Sequence, residues 1–386
     1  MNSGSNNLAL ALGGGGARAA YQVGVLRCLA REFPDMRIPI LTGVSAGAIN
    51  TAHMANFQGN FHSSVEKLAS FWEHMTIDQL FRVSPLSLAG NVFRWAAHIL
   101  SGGTRFAPKT RGMVDTSPFQ KFLLGVYGTD DGTMRGIAEN ISRGSLKAVG
   151  VTTTNYVTGQ SITWVEGANV AMWQRPNRRS VPTTLTVDHI MASCALPLFF
   201  PAIRLGEQWH GDGGVRLTAP LSPALHLGAE RILAISTRFQ RTLTDAELAA
   251  SQDYPPPATI IGSLMNSVFL DLLDYDALHM QRLNQLIAQM PPDKRGDLRA
   301  VELLVLRPSV NLESLALEYE KELPKTFRFL ARGLGTRETR AASFLATLLF
   351  SPKYIRSLMQ IGEEDATKQR EKIAKFVMPQ NAPTRA

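Results

Sequence analysis

Between Asn7 and Phe57 the chain twice runs from a short apolar stretch, through glycine, into a helix-patterned one. Asn7 to Leu12 reads as a buried strand, Gly13 to Gly16 break it, and Ala17 to Phe33 place Tyr21, Val25, Leu26 and Leu29 on one helical face. After Pro34, Ile38 to Thr42 forms a second strand. Gly43–Val44–Ser45–Ala46–Gly47 follows it, and Ala46 to Phe57 is the next helix. Strand–helix–strand–helix with short junctions predicts a parallel sheet covered by helices on its outside.

The rest of the chain is consistent with that class. Val65 to Tyr127 is helical and irregular, with an aromatic-bearing apolar piece from Leu86 to Leu100. Lys147 to Tyr156 and Ser161 to Val165 carry β-branched residues, and Thr158–Gly159–Gln160 between them predicts a hairpin. Val187 to Ala195 is a helix that ends before Pro197. Phe199 to Arg204 and Gln208 to Gly211 read as strands joined at Gly206, and Arg231 to Thr237 is another core strand. Pro255 to Pro257 mark a loop, after which the pattern is helical apart from a strand-like Val301 to Leu306. The expected fold is an α/β three-layer sandwich with a mostly parallel central sheet flanked by helices. Residues 1–250 would form the α/β domain, and residues 251–386 a mainly helical C-terminal region packed on it.

A hydrophobic fraction of 45% and a charged fraction of 19% suit a large globular core. Two cysteines, Cys28 and Cys194, rule out a cysteine zinc site and a disulfide framework. Their apolar surroundings predict buried, reduced thiols. Leu8 to Leu12 is too short and lacks the basic flank of a signal peptide, and no apolar run is long enough to span a membrane. The expectation is a cytoplasmic protein that meets membranes only peripherally. The net charge of +8 favours anionic partners. Its clusters, Arg175/Arg178/Arg179 and Lys368/Arg370/Lys372, are small, and neither zinc-finger spacing nor an aromatic–basic repeat points to nucleic acid.

Three motifs bear on chemistry. Gly43-x-Ser45-x-Gly47 sits where a strand must turn sharply into a helix, which needs small neighbours and leaves the serine hydroxyl exposed at a helix N-terminus. A structural tight turn with a capping serine is the plain alternative. Gly14, Gly15 and Gly16 let backbone amides converge on one point, as an oxyanion hole requires. Arg18 either braces this loop or binds a phosphate. The same stretch, Gly14-x-Gly16-x-x-Ala19, matches a dinucleotide fingerprint with Asp35 as the ribose ligand, although Asp35 precedes the second strand rather than ending it. Asp212–Gly213–Gly214 either frees a carboxylate at a strand end or makes an ordinary turn.

Taken together these motifs resemble the patatin-like phospholipase family: a glycine-rich loop, then G-x-S-x-G, then D-G-G. The stretch Val187–Asp188–His189–Ile190–Met191–Ala192–Ser193–Cys194–Ala195–Leu196–Pro197 is similar to the family's A-S-x-A-L-P, and Pro220–Leu221–Ser222–Pro223–Ala224 with Gly228–Ala229 adds to the likeness. Ala19 stands where many relatives have glycine. The resemblance covers about Leu8 to Thr237. It implies Ser45 as nucleophile, Asp212 as base, Gly14, Gly15 and Gly16 as oxyanion donors, and Arg18, Gly43, Gly47, Gly213 and Gly214 as loop supports. The implied activity is hydrolysis of phospholipid or other lipid esters, without metal or other cofactor. A non-catalytic lipid-binding protein on the same fold is the competing function. A Ser–acid–His triad would need His226 or His279, since His210 precedes Asp212 in the chain. For contact with an anionic membrane, two segments carry apolar residues beside cations: Leu86 to Leu100 and Phe344 to Met359. Ordinary core helices are the alternative for each.

Overall fold

The computed structural model describes residues 7–82, 112–240, 260, 262–264, 266–267, 271–324, 328 and 342–378. Strand β1 (Leu8–Leu12) reads Leu-Ala-Leu-Ala-Leu, and side chains alternate across a sheet. Leu8, Leu10 and Leu12 therefore join one core, and Ala9 and Ala11 another on the opposite face. A strand buried on both faces belongs at the centre of a covered sheet. β1 lies there, parallel to β2 (Ile40–Val44) on one side and to a later strand on the other.

The remaining strands are β3 (Ala148–Asn155), β4 (Ser161–Gly167), β5 (Gln174–Arg175), β6 (Arg178–Pro182), β7 (Ile203–Leu205), β8 (Gln208–Asp212), β9 (Arg231–Ile235) and β10 (Glu302–Leu306). Their order is β10-β9-β1-β2-β3-β4-β6-β5, with β7 and β8 branching from β3. β10, β9, β1, β2 and β3 are mutually parallel. The β3–β4 hairpin turns antiparallel at Gly159, which has φ +67°. One face is covered by helices α1 (Ala20–Glu32), α2 (Ala46–Asn56) and α3 (Phe61–Glu73), whose buried residues join the leucine side of β1. The other face is covered by Ser222–His226 and the long helix Asp271–Gln289. This is the expected three-layer α/β sandwich.

β10 pairs with β9 along its whole length, so the region after residue 250 supplies the outermost parallel strand of the same sheet. Phe344 to Met359 is not a membrane-facing surface. Phe344, Leu345, Leu348, Leu349, Tyr354, Ile355 and Leu358 are all buried, and Phe350 stacks on Trp72. Its apolar spacing serves the core, as that of most amphipathic helices does. The other proposed membrane segment, Leu86 to Leu100, lies outside the described residues. Among the described residues no helix is long and apolar enough to cross a membrane.

Helix Pro352–Lys368 packs closely on α1 at a pair of glycines. A Cβ on Gly24 would lie 1.9 Å from the Met359 carbonyl oxygen, and one on Gly362 would lie 2.3 Å from that of Tyr21. Gly24→Ala is therefore expected to lower stability by about 1–3 kcal/mol or more, through overpacking against rigid backbone. Chemical denaturation measures this, and an unchanged midpoint would refute the close crossing.

Candidate active site

β3 acts as a ruler for the site. Its Thr152 opposes Val44, the last residue of β2, and its next residue, Thr153, opposes Asp212, the last residue of β8. Two strand ends far apart in the chain thus meet on consecutive residues of a third. Ser45 follows Val44 directly, and its hydroxyl donates to Asp212 Oδ2 at 2.6 Å. Gly213 turns the chain away so tightly that a Cβ there would sit 2.1 Å from the Thr152 carbonyl oxygen.

Ser45 holds φ +54°, a conformation that costs a non-glycine residue about 1–3 kcal/mol. Its surroundings fix it. Ser45 N donates to Ser193 Oγ at 2.9 Å, and Ser193 Oγ donates onward to the Thr152 carbonyl at 2.7 Å. The Ser45 carbonyl accepts from Ala48 N and from the Cys194 thiol. The flanking glycines are required by contact. A Cβ on Gly43 would fall 2.4 Å from Thr51 Oγ1, and one on Gly47 would fall 2.3 Å from the Leu12 carbonyl oxygen. Ser45 is also the residue that opens α2, so its hydroxyl stands at a helix N-terminus, where negative charge is favoured.

Asp212 is fully buried. Burial pushes its carboxyl up to about 7, against the lowering effect of hydrogen bonds from Ser45 and from Gly214 N. Its backbone is tied down as well, with Asp212 N donating to Ala195 O and Thr154 Oγ1 to Asp212 O. Burial, and next the charge on Asp212, raise the Cys194 thiol well above its ordinary value, so it remains a donor. Cys28 and Cys194 are both buried and free, as the sequence suggested.

The glycine loop lies against the serine: a Cβ on Gly14 would be 3.0 Å from Ser45 Cβ. Each of its first three carbonyls receives a donor from outside the loop. Gln22 Nε2 binds Gly13 O at 2.9 Å, Thr237 Oγ1 binds Gly14 O at 2.9 Å, and Arg18 Nε binds Gly15 O at 3.1 Å. In a trans peptide the N–H points opposite to the C=O. Anchoring those carbonyls therefore turns the Gly14, Gly15 and Gly16 amides each away from the donor that holds the preceding carbonyl. Arg18 is only 2% exposed, so it braces the loop and is closed to a headgroup phosphate. The buried Ala19 is accommodated, its carbonyl accepting from Asn50 Nδ2. Gly14 and Gly214 also border a largely apolar cleft with Leu217, Pro220, Pro223 and Leu273.

Ser193, Gln22 and Thr237 had no role assigned from sequence. Ser193 stood inside the A-S-x-A-L-P resemblance and could have been found there; the other two carry no local signal. Among the described residues, the candidate triad histidines have other partners. His210 Nδ1 pairs with Thr153 Oγ1, and burial, helped by Arg179, depresses that ring to about 4. His226 stacks on Trp173, and His279 is exposed on its helix. The side-chain partners of the Asp212 carboxylate among the described residues include no histidine. Asp35 sits in the turn between α1 and β2, at the opposite end of β2 from Ser45, and so is not placed as the ribose ligand that the dinucleotide reading assigned to it. Among the described residues no cluster of metal-binding side chains occurs.

The chain matches the family model described as patatin-like phospholipase over residues 10–225. No curated protein sequence matches it. Among solved structures it is similar to human GIVD cytosolic phospholipase A2, with 11% identity and a TM-score of 0.45 over 96% of this chain and 60% of that one. It is also similar to VipD from Legionella pneumophila, with 11% identity and a TM-score of 0.35 over 92% of this chain and 67% of that one. The chain thus spans less than two thirds of the human protein's length.

Ionisation of Asp212 links the site to stability. In the unfolded chain an aspartate titrates near 3.9. In the fold Asp212 titrates at about 7. Between these values the folded state keeps a proton that the unfolded state has lost. The contribution is full below about pH 4 and is lost as pH rises through 7. Asp212→Asn should match the parent near pH 4 and exceed it at pH 8, by on the order of 2–4 kcal/mol. Urea denaturation at both pH values tests this, and a pH-independent difference would contradict it.

Proposed function

The chain belongs to the patatin-like phospholipase family, a family of lipid hydrolases, and from that premise we propose that it cleaves carboxylic esters of phospholipids or related lipids through Ser45 and Asp212. The activity would be of the phospholipase A or lysophospholipase type. The observation that carries this reading is the 2.6 Å hydrogen bond from the Ser45 hydroxyl to a fully buried carboxylate beside the Gly14 backbone.

An aspartate in water is too weak a base to activate serine at neutral pH. Burial raises Asp212 to about 7, which puts its basicity in the range histidine usually supplies. In the proposed reaction Ser45 Oγ attacks the ester carbonyl while its proton moves to Asp212 Oδ2. The Gly14–Gly16 amides receive the charge that develops on the carbonyl oxygen, preorganised by their anchored carbonyls. As the tetrahedral intermediate collapses, Asp212 passes the proton to the leaving alkoxide, releasing the alcohol and leaving an acyl-serine. Water then attacks the acyl-serine, giving its proton to Asp212. Collapse of the second intermediate returns that proton to Ser45 Oγ and frees the fatty acid. Every step is carried by this chain's own groups, and the net charge of +8 favours meeting the substrate on an anionic lipid surface.

Ser45→Ala and Asp212→Asn are each expected to lower kcat for fatty-acid release from mixed phospholipid vesicles by at least about a thousandfold. In the parent, kcat/KM should rise with pH through an ionisation near 7, because the base is the carboxylate form. Turnover that survives either substitution, or that requires one of the histidines, would contradict the dyad.

A further inference from the structure

Four consecutive glycines have no preferred conformation of their own, so a loop built from them must be shaped from outside. The Arg18 guanidinium does part of that work, and its other bonds lead away from the matched family region. Nε holds the Gly15 carbonyl at 3.1 Å, Nη1 pairs with Glu313 Oε1 at 2.8 Å, and Nη2 donates to Thr347 Oγ1 at 3.1 Å. Glu313 lies in helix Leu312–Glu318 and Thr347 in helix Ala342–Leu348, both beyond residue 225. Thr347 also meets the loop through its backbone. Gly16 has φ +59°, and a Cβ there would lie 2.1 Å from the Thr347 carbonyl oxygen. Glu313 is itself held in place: Ser343 Oγ donates to its second oxygen, and Asn266 Nδ2 donates to the first.

We propose that Glu313 and Thr347 are positioning residues for the hydrolysis, acting through Arg18 to set the Gly15–Gly16 peptide of the oxyanion loop. This rests on the reading of Gly14–Gly16 as oxyanion donors. With both partners present, the guanidinium is fixed in one plane and Nε pins the Gly15 carbonyl. The Gly16 N–H of that planar peptide is thereby aimed to the opposite side. Without Glu313 the charge on Arg18, only 2% exposed, loses the counter-ion it has among the described residues. The guanidinium then turns toward water and leaves the Gly15 carbonyl held by the longer 3.3 Å bond from Arg18 N alone, so the peptide is less firmly set. The helices after residue 310 thus complete the catalytic centre without touching substrate.

The test uses the full chain, a soluble chromogenic ester, and a fluorophosphonate that counts reactive Ser45. Glu313→Gln keeps the size of the side chain and removes its charge. Thr347→Val removes a hydroxyl, and Thr347→Ser restores it. We expect Glu313→Gln to lower kcat per reactive serine at least about tenfold, part of the hundredfold or more that loss of one oxyanion donor costs. KM should change less than about threefold, since an interaction made only in the transition state is removed. Thr347→Val should lower kcat in the same direction, and Thr347→Ser should recover most of it. If both variants keep the parent's kcat per reactive serine, or lose activity only in step with the number of reactive serines, the ion pair merely holds the fold together and the proposal is overturned. Should Glu313→Gln fail to fold, the contrast between Thr347→Val and Thr347→Ser decides. Ser45→Ala separates the two levels. A parent that does not turn over, or a Ser45→Ala protein that does, overturns the hydrolase reading and this proposal with it. An inactive Ser45→Ala beside fully active Glu313 and Thr347 variants overturns this proposal alone.

Discussion

The hydrogen bond between the Ser45 hydroxyl and the Asp212 carboxylate constrains everything around it. It is 2.6 Å long, and it joins a residue at the end of one parallel strand to a residue at the end of an antiparallel one. It exists because β3 pairs with β2 over Ala148–Thr152 and then with β8 over Thr153–Asn155. A slip of one residue in either register would turn the side chain away. The dense bonding of this region follows from that need. Ser193 ties Ser45 N to the β3 backbone, Thr154 ties the Asp212 carbonyl, and Gly213 lets the chain leave without striking Thr152.

In the proposed mechanism a carboxylate placed in this way takes the part that histidine usually plays. Burial that costs stability at neutral pH raises the basicity of Asp212 to the level the proposed reaction calls for. The same dry environment keeps the Cys194 thiol protonated, so that it serves the elbow as a donor and does not compete as a nucleophile. Strain at Ser45 and desolvation at Asp212 are both unfavourable locally. The large shared core on the leucine side of β1 offsets them.

Much of this was legible in the amino-acid order because the relevant signals are local. Leu8–Leu12 announces a doubly buried strand, Gly43 to Gly47 announces the sharp turn, and Thr158–Gly159–Gln160 announces the hairpin. Boundaries were less legible. β2 begins at Ile40 rather than Ile38, just after Pro39, which has no N–H to give to a ladder. Residues that meet only in three dimensions left no trace. Nothing near Thr237 or Gln22 says that each anchors a loop carbonyl, and nothing near Glu313 says that it pairs with Arg18. Apolar periodicity cannot tell a core helix from a membrane-facing one. For that reason Phe344 to Met359 could be read either way until its burial was seen.

The most direct test of the account is a crystal structure of the full chain after reaction with an alkyl fluorophosphonate. The account predicts a covalent bond from Ser45 Oγ to phosphorus, with the phosphoryl oxygen about 2.7–3.1 Å from amides of the Gly14–Gly16 loop and Asp212 beside the adduct. An adduct on another residue, or a phosphoryl oxygen turned to solvent with the loop amides bound elsewhere, would contradict it.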